Sequence, residues 1–365
     1  MILSQIAGAG TSIWLDDLSR ASLTGNTAQS LAKRIAESGV VGVTTNPAIF
    51  HAAITGSGDY KDAISQLRGA SVDEVVRTLT TDDVRNACDL FSPIFHSSNG
   101  VDGRVSIEVD PRLANNTNGT VTDGLKLWKL VDRPNLMIKV PATDAGLPAI
   151  SELIAAGISV NVTLIFSRKR YAEVIAAFMT GLEMRKALSA DLTKIHSVAS
   201  FFVSRIDSSI DARLKEIATP AASALLGKAA IANAQLAYQL YENTQSSPRW
   251  RALSEAGANM QRPLWASTGV KDPAYSDTRY VIELIAKNVV NTMPPKTLDA
   301  VIDHGNFAGD TITPNYQSAK ATLQALAEIG ISLDEVTGLL EDDGINKFIG
   351  SWLALLDDVE KVLAQ

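Results

Sequence analysis

Cysteine, histidine and positive charge are all scarce in this chain of 365 residues. Its single cysteine, Cys88, cannot form a disulfide within the chain, so we expect a fold without disulfides in a reducing compartment, the cytoplasm. Lys and Arg number 33 against 40 Asp and Glu, and the net charge of -7 argues against a nucleic-acid partner, because phosphate binding requires clustered cations. The first ten residues carry no Lys or Arg and so lack the basic segment of a secretory signal.

Motifs for bound metals and nucleotide cofactors are missing too. The four histidines form no H-E-x-x-H motif and no i, i+4 pair, and one cysteine cannot build a zinc cluster. Neither G-x-G-x-x-G nor G-x-x-x-x-G-K-S/T occurs, so we expect no metal and no organic cofactor. The most apolar window, 148–166, contains Glu152, Gly157 and Asn161, which favours a buried helix, turn and strand over a membrane span.

Short β-branched runs recur along the chain, separated by longer segments with helical periodicity. This alternation predicts an α/β fold, a single (β/α)8 TIM barrel formed by residues 1–365 as one domain. Such a barrel needs about 250 residues, and the excess is expected in two helical insertions, 51–103 after the second strand and 206–261 after the sixth. The predicted strands are 12–16, 40–46, 104–110, 135–141, 159–166, 195–202, 263–268 and 289–293.

Two helix starts carry the pattern of a capping box, in which an N-cap serine is followed three residues later by a glutamate. These are Ser71 with Glu74, and Ser332 with Glu335. Near the end of the chain, the segment 347–363 is amphipathic and is predicted to pack on the barrel. Its apolar positions include Phe348, Trp352, Leu355, Leu356 and Val359.

Charged residues alternate with apolar ones in several predicted strands. Lys139 lies between Ile138 and Val140, and Glu108 and Asp16 also follow apolar neighbours. If the apolar stripe packs under the helices, these charged side chains face the barrel interior near the strand ends, where barrel enzymes have their active sites. The alternative is a structural salt bridge, but buried ion pairs seldom add net stability, so we favour a catalytic group of Lys139, Glu108 and Asp16.

A lysine in a desolvated cavity points to Schiff-base chemistry. Burial favours the neutral amine, which can attack a ketone, and the protonated imine then draws electrons from a nearby carbon–carbon bond. A carboxylate can transfer the proton of the hydroxyl group that is made or broken in that step. Two carboxylates nearby favour the charged ammonium instead, and the sequence leaves the balance of these two effects open.

Seven short motifs stand in order at the predicted strand ends. They are Leu15-Asp16, Thr44-Thr45-Asn46-Pro47, Ser106-Ile107-Glu108-Val109-Asp110, Met137-Ile138-Lys139-Val140-Pro141-Ala142-Thr143, Asn161-Val162-Thr163, Ser200-Phe201-Phe202-Val203-Ser204-Arg205 and Trp265-Ala266-Ser267-Thr268. Each motif is weak alone, but the ordered set resembles the transaldolases, the Schiff-base dihydroxyacetone transferases of the pentose phosphate pathway. The long insertions resemble those of the longer bacterial subgroup.

The resemblance implies a role for each member of the predicted catalytic group. Lys139 would form the imine with the donor ketose, and Asp16 would assist proton transfer at the hydroxyl of the cleaved bond. Glu108 would act through a water molecule held with Thr163. The implied reaction moves a dihydroxyacetone unit from sedoheptulose 7-phosphate to glyceraldehyde 3-phosphate, giving erythrose 4-phosphate and fructose 6-phosphate.

The same resemblance implies a set of substrate contacts. Asn46 and Asn161 would bind hydroxyls of the dihydroxyacetone unit, although Asn46 before a proline could equally cap a helix. Ser200 and Arg205 would hold the substrate phosphate. Further candidate contacts are Phe202, Ser267 and Lys271. The partners expected from this resemblance are phosphorylated sugars, and the chain would be a monomer or a homodimer.

Two other functions stay open from the sequence. One is a lyase on the same scaffold, since related fructose 6-phosphate aldolases carry glutamine and tyrosine where this chain has Glu108 and Phe202. The other is a barrel that binds sugar phosphates without catalysing a reaction. The presence of Lys139, Asp16 and Glu108 argues against this second alternative.

Overall fold

Eight parallel strands close into a barrel whose neighbours follow the order of the chain, as the sequence predicted. The structure is a computed structural model that describes residues 2–364. β8 pairs with β1 and completes the ring. The strands are β1 (Thr11–Leu15), β2 (Gly42–Val43), β3 (Arg104–Glu108), β4 (Leu136–Pro141), β5 (Val160–Ile165), β6 (Ser197–Phe202), β7 (Arg262–Ala266) and β8 (Val289–Met293).

Helices surround the barrel and cover one of its ends. They are α1 (Ile2–Gly8), α2 (Arg20–Thr24), α3 (Leu31–Ser38), α4 (Pro47–Gly56), α5 (Lys61–Gln66), α6 (Val72–Ser97), α7 (Thr117–Val131), α8 (Gly146–Ala155), α9 (Arg168–Ala187), α10 (Ser204–Ile217), α11 (Pro220–Ser223), α12 (Ala229–Gln245), α13 (Pro248–Ser254), α14 (Arg279–Ile282), α15 (Pro295–His304), α16 (Tyr316–Glu328) and α17 (Leu333–Leu363). Within residues 2–364, no helix combines the length and the apolarity needed to cross a membrane.

Strand boundaries differ most from the predictions at β2. The segment predicted as a strand over 40–46 pairs as a strand only at Gly42–Val43. The chain leaves the sheet early because Asn46 caps α4 with its side chain, and that helix begins at Pro47 rather than after residue 50. Between β2 and β3 the chain forms α4, α5 and α6, and between β6 and β7 it forms α10 to α13.

The two predicted capping boxes have different outcomes. At α6 the Ser71 side chain accepts from the Glu74 N–H, and the Glu74 carboxylate accepts from the Ser71 N–H at 3.0 Å, so the box is confirmed. At α17, Ser332 Oγ accepts from the Glu335 N–H at 3.2 Å, but Glu335 Oε1 accepts from Arg213 at 3.0 Å. The second box is therefore wrong in its reciprocal half, because a cation on α10 binds the glutamate instead.

The amino-terminal end of the barrel is closed by packing and by an ion pair. The ring of Trp14 lies against Gly42 so closely that a Cβ there would lie 2.5 Å from the indole. The Asp102 carboxylate accepts from Trp14 Nε1 at 3.3 Å and pairs with Arg262 at 2.9 Å. Barrel enzymes have their active sites at the opposite end, where the strands finish.

Helix α17 crosses that opposite end. Gly344 lies against Leu164 at the end of β5, where a Cβ would come within 2.9 Å of the leucine side chain. One turn later Phe348 is buried beneath the helix, and farther on Asp358 pairs with His51 of α4 at 2.9 Å. The amphipathic segment predicted over 347–363 is thus part of a longer helix that lies over the ends of the strands.

Candidate active site

Three strands present Glu108, Lys139 and Asn161 in one layer of the barrel. Glu108 is the register partner of Lys139, and Lys139 is the register partner of Asn161. Lys139 Nζ donates to the carbonyl of Thr45 at 3.0 Å and lies 3.3 Å from Glu108 Oε2. Both side chains are buried, Lys139 being 4% and Glu108 8% exposed. The inward direction predicted for Lys139 and Glu108 from alternation along the strands is confirmed.

Burial sets the protonation of Glu108. It raises the pKa of the Glu108 carboxyl to about 7, although the Lys139 ammonium acts in the opposite direction. Within the described residues, the contact of Glu108 Oε2 with Lys139 Nζ at 3.3 Å is an ion pair rather than a hydrogen bond of good geometry. A carboxyl group with a pKa near neutrality beside the lysine is suited to proton transfer.

Asp16 lies immediately after β1, near enough to Lys139 for the two charges to interact. Its Oδ1 accepts from Thr44 Oγ1 at 2.7 Å, and Thr44 is itself 2.7 Å from Thr292 Oγ1. Burial raises the pKa of the Asp16 carboxyl, while Lys139, the Thr44 hydroxyl and Lys271 each lower it. Thr44 was part of a sequence motif but was not among the predicted site residues.

Asn161 is held from both sides within the barrel. Its Nδ2 donates to Ser106 Oγ at 3.0 Å, and its Oδ1 accepts from Ser200 Oγ at 2.7 Å. Two positions farther along β5, Thr163 Oγ1 is buried and finds no partner in the described part of the chain. The strand bulges next to Thr163, where Leu164 adopts a φ of 59°. Ser200 thus contacts Asn161. Ser106 belongs to one of the seven motifs, but its contact with Asn161 was not predicted.

Arg205 is the second residue of α10, and its guanidinium lies over the Phe202 ring at the end of β6. Its Cζ lies 5.3 Å from the centre of the Phe202 ring, and Phe202 packs against Phe166 with ring centres 5.1 Å apart. Arg205 Nη1 is buried and has no acceptor within residues 2–364. Burial lowers the pKa of Arg205, with Asp343 of α17 opposing this effect. A buried guanidinium with an unused N–H group is a suitable contact for a phosphate.

The remaining predicted contacts lie at the rim. Ser267 has a φ of 56° and its Oγ lies 3.0 Å from Ser204 Oγ. Lys271 is exposed, but its positive charge interacts with Asp16 and lowers the pKa of that carboxyl. Asn46 Oδ1 accepts from the Ile49 N–H at 3.0 Å, so its oxygen serves as a helix cap and its amide N–H groups are left for a ligand.

Two aromatic residues of α17 complete the surroundings of the lysine and glutamate. The Phe348 ring centre lies 5.6 Å from Lys139 Nζ, and Trp352 shares a cavity with Glu108. In the sequence, these two residues were recognised only as apolar positions of an amphipathic helix. Amphipathicity does not indicate which strands a helix will cross. Across residues 2–364, no group of three or more His, Cys, Asp or Glu side chains is placed to hold a metal ion.

Comparison with known proteins identifies the family of the chain. The family model for transaldolase/fructose-6-phosphate aldolase matches residues 13–359. A transaldolase of Arthrobacter sp. (strain FB24) is 59% identical over 362 residues, which is 99% of this chain and 97% of that protein. A transaldolase of Mycolicibacterium smegmatis is 57% identical, covering 97% and 95%, and one of Thermobifida fusca is 55% identical, covering 99% and 98%. The chain therefore belongs to the transaldolase/fructose-6-phosphate aldolase family.

Proposed function

We propose that this protein is a transaldolase that transfers a dihydroxyacetone unit between phosphorylated sugars through a Schiff base on Lys139. The observation that carries the proposal is the position of Lys139 Nζ, buried at the strand ends 3.3 Å from Glu108 Oε2, with Asp16 close enough for its pKa to respond to the lysine. Membership of the family and full-length similarity to transaldolases support an enzyme of the transferase class.

The reaction begins with Lys139. Its Nζ attacks the carbonyl carbon of sedoheptulose 7-phosphate, and the carbinolamine loses water to give a protonated imine. Glu108 supplies and removes the protons of this dehydration, for which a pKa of about 7 suits it. Thr163, with its free buried hydroxyl oxygen, holds the water molecule through which Glu108 acts.

Cleavage uses the imine as an electron sink. The bond between the carbons α and β to the imine carbon breaks, its electron pair forms the enamine, and the proton of the β hydroxyl passes to Asp16. Erythrose 4-phosphate leaves. The enamine then attacks the aldehyde carbon of glyceraldehyde 3-phosphate, Asp16 returns its proton to the new alkoxide, and hydrolysis of the imine releases fructose 6-phosphate. The raised pKa of Asp16 favours its acceptance of this proton.

Substrate contacts are assigned to the polar side chains around the lysine. The amide of Asn46 and the Asn161 group bind the hydroxyls of the dihydroxyacetone unit, and Arg205 binds the phosphate with its unused N–H group. Ser200, Ser267 and Lys271 are assigned to the phosphate end of the substrate in the same proposal, with Lys271 as the weaker second cation.

A lyase on the same scaffold is the second candidate, because the family includes fructose-6-phosphate aldolases. The outcome depends on whether the enamine on Lys139 is protonated before an aldehyde reaches it. Phe202 presents an apolar ring that packs against Phe166 and has no proton to donate. We therefore assign the transferase reaction, in which the enamine survives until the acceptor binds.

Reduction with borohydride tests the Schiff base. In the presence of fructose 6-phosphate, borohydride should inactivate the enzyme and leave one reduced adduct, which mass spectrometry of peptides maps to Lys139. Borohydride without the sugar is the control and should leave activity intact. The variant Lys139→Met keeps a buried chain of similar length and should give no adduct. An adduct on another lysine, or none in the wild type, would contradict the proposal.

The proposal also covers the cellular compartment, the domain organisation and the oligomeric state of the enzyme. The single cysteine and the acidic composition suit a cytoplasmic protein acting on phosphorylated sugars. We assign residues 1–365 to one domain, which the continuous buried core from Leu3 to Val359 supports. A monomer or a homodimer is consistent with this arrangement.

A further inference from the structure

Helix α17 brings two aromatic side chains to the catalytic pair. Phe348 and Trp352 are four residues apart and so lie on the same face of the helix. The ring centre of Phe348 lies 5.6 Å from Lys139 Nζ. Trp352 is one turn farther on, beside the cavity that Glu108 also lines. The helix therefore meets both members of the lysine and glutamate pair.

The cavity that Trp352 and Glu108 share is small and is lined by residues from β3, α4, α6, α7 and α17. Its volume is about 20 Å3, and about 10 to 15 Å3 suffices for a single buried water molecule. Such a water needs two to four polar partners. The side chains lining the cavity are Asn46, Pro47, Phe50, Arg77, Thr80, Ile107, Glu108, Asp110, Asp123, Leu127 and Trp352.

Most polar groups around this cavity already bind one another. Arg77 Nη1 pairs with Asp123 Oδ1 at 2.6 Å, Asp123 Oδ2 accepts from the Asp110 N–H at 2.9 Å, and Thr80 Oγ1 donates to the Val76 carbonyl. Trp352 Nε1 is buried and has no partner within the described chain, and the Glu108 carboxylate, whose Oε2 lies 3.3 Å from Lys139 Nζ, lines the same cavity. A carboxylate can accept several hydrogen bonds, so the Glu108 carboxylate and the unpaired Trp352 N–H group are complementary residues of one small cavity.

We propose that Trp352 is a positioning residue for the reaction, which holds one water molecule in this cavity and through it directs a hydrogen bond to the Glu108 carboxylate. The inference rests on the proposed role of Glu108 in proton transfer. It is distinct from the water that Thr163 holds, because Thr163 lies on β5 and the cavity lies between β3 and the covering helices. In this arrangement the end of the chain helps to set the protonation of a group at the centre of the barrel.

The charged groups facing Glu108 come from several elements. Lys139 lowers its pKa and Asp16 raises it. Arg77 on α6, Asp110 after β3 and Asp123 on α7 line the cavity, and Lys271 after β7 acts on Asp16. Replacing Trp352 with phenylalanine alters none of these charges and keeps an aromatic ring in place. A changed titration in that variant would therefore come from the lost N–H group.

The test is the pH profile of kcat for Trp352→Phe, measured with fructose 6-phosphate and erythrose 4-phosphate. Hydrogen bonds to a carboxylate favour its charged form, so removal of this one should raise the pKa of Glu108. The acidic limb of the profile should shift to higher pH by about half a unit or more. KM should stay within about twofold of the wild-type value. Near pH 7 the rate should fall by about two- to fivefold and should recover about two pH units higher.

Two controls separate the possible outcomes. Trp128→Phe, at a half-buried tryptophan on α7, should leave the profile in place. If Trp352→Phe loses the same factor at every pH, or keeps its limb unmoved, the positioning role is wrong. If the wild-type limb survives in Glu108→Gln, the proposed role of Glu108 fails instead. If borohydride forms no adduct on Lys139 of the wild type, the proposed function itself fails.

Discussion

Lys139 Nζ lies 3.3 Å from Glu108 Oε2 in the interior of the barrel, yet burial still raises the pKa of that carboxyl to about 7. The ionised carboxylate is the base in the proposed mechanism, so kcat should fall as the pH decreases through about 7. Glu108→Gln should lose about 100-fold or more in kcat, and its profile should lack this limb. Steady-state assays from acid to alkaline pH check this, and an unchanged limb in the variant would assign it to another group.

Arg205 should distinguish phosphorylated substrates from others. Its buried Nη1 is unused within residues 2–364, and a guanidinium that is bidentate to phosphate contributes more than a neutral contact. Arg205→Ala should reduce kcat/KM for fructose 6-phosphate by about 100-fold or more, and much less for free fructose. Lys271→Ala, at an exposed position, should cost less than tenfold. Equal losses for both sugars would return Arg205 to a structural role.

Phe202 should control the fate of the enamine. The wild type should release little dihydroxyacetone from fructose 6-phosphate alone, whereas added erythrose 4-phosphate should yield sedoheptulose 7-phosphate and glyceraldehyde 3-phosphate at a much higher rate. Phe202→Tyr brings a phenolic O–H next to Arg205, whose Cζ is 5.3 Å from the ring centre, and should shift the ratio towards release. Coupled assays of both products measure this ratio. Comparable release with and without acceptor in the wild type would favour the lyase.

Gly344 should be needed where α17 crosses β5. A Cβ at this position would come within 2.9 Å of the Leu164 side chain, which is buried. Gly344→Ala gains helix propensity but overpacks this contact, at a cost of about 1 to 3 kcal/mol. In Gly350→Ala the same helix has no atom within 4 Å of the new methyl, so that variant should be more stable than the wild type by up to about 1 kcal/mol.

Free energies of unfolding from denaturant titrations compare these two glycine variants. Gly344→Ala should also lower kcat/KM, because the displaced helix carries Phe348, which lies over Lys139. Equal stabilisation of both variants would mean that α17 can shift over the strand ends without strain.

Lys139 shows how much of the candidate site could be predicted from the sequence. Alternation along β4 was enough to predict that its side chain points into the barrel. Successive residues of a strand face opposite sides, and the apolar neighbours Ile138 and Val140 were expected to face the helices. The same argument placed Glu108. The limits of β2 were less predictable, because Asn46 can continue a strand or cap a helix, and only the packing of α4 selected the cap.

Local patterns therefore determined the order of strands and helices, the barrel and the inward direction of its charged residues, because each depends on periodicities of a few positions. The tertiary structure decided the contacts between residues far apart in the chain. Asn161 binds Ser106 and Ser200, Phe348 lies over Lys139, and burial brings the pKa of Glu108 to about 7. No local pattern encodes these features, since desolvation and hydrogen bonding depend on which distant segments surround a group once the barrel has closed and α17 lies across it.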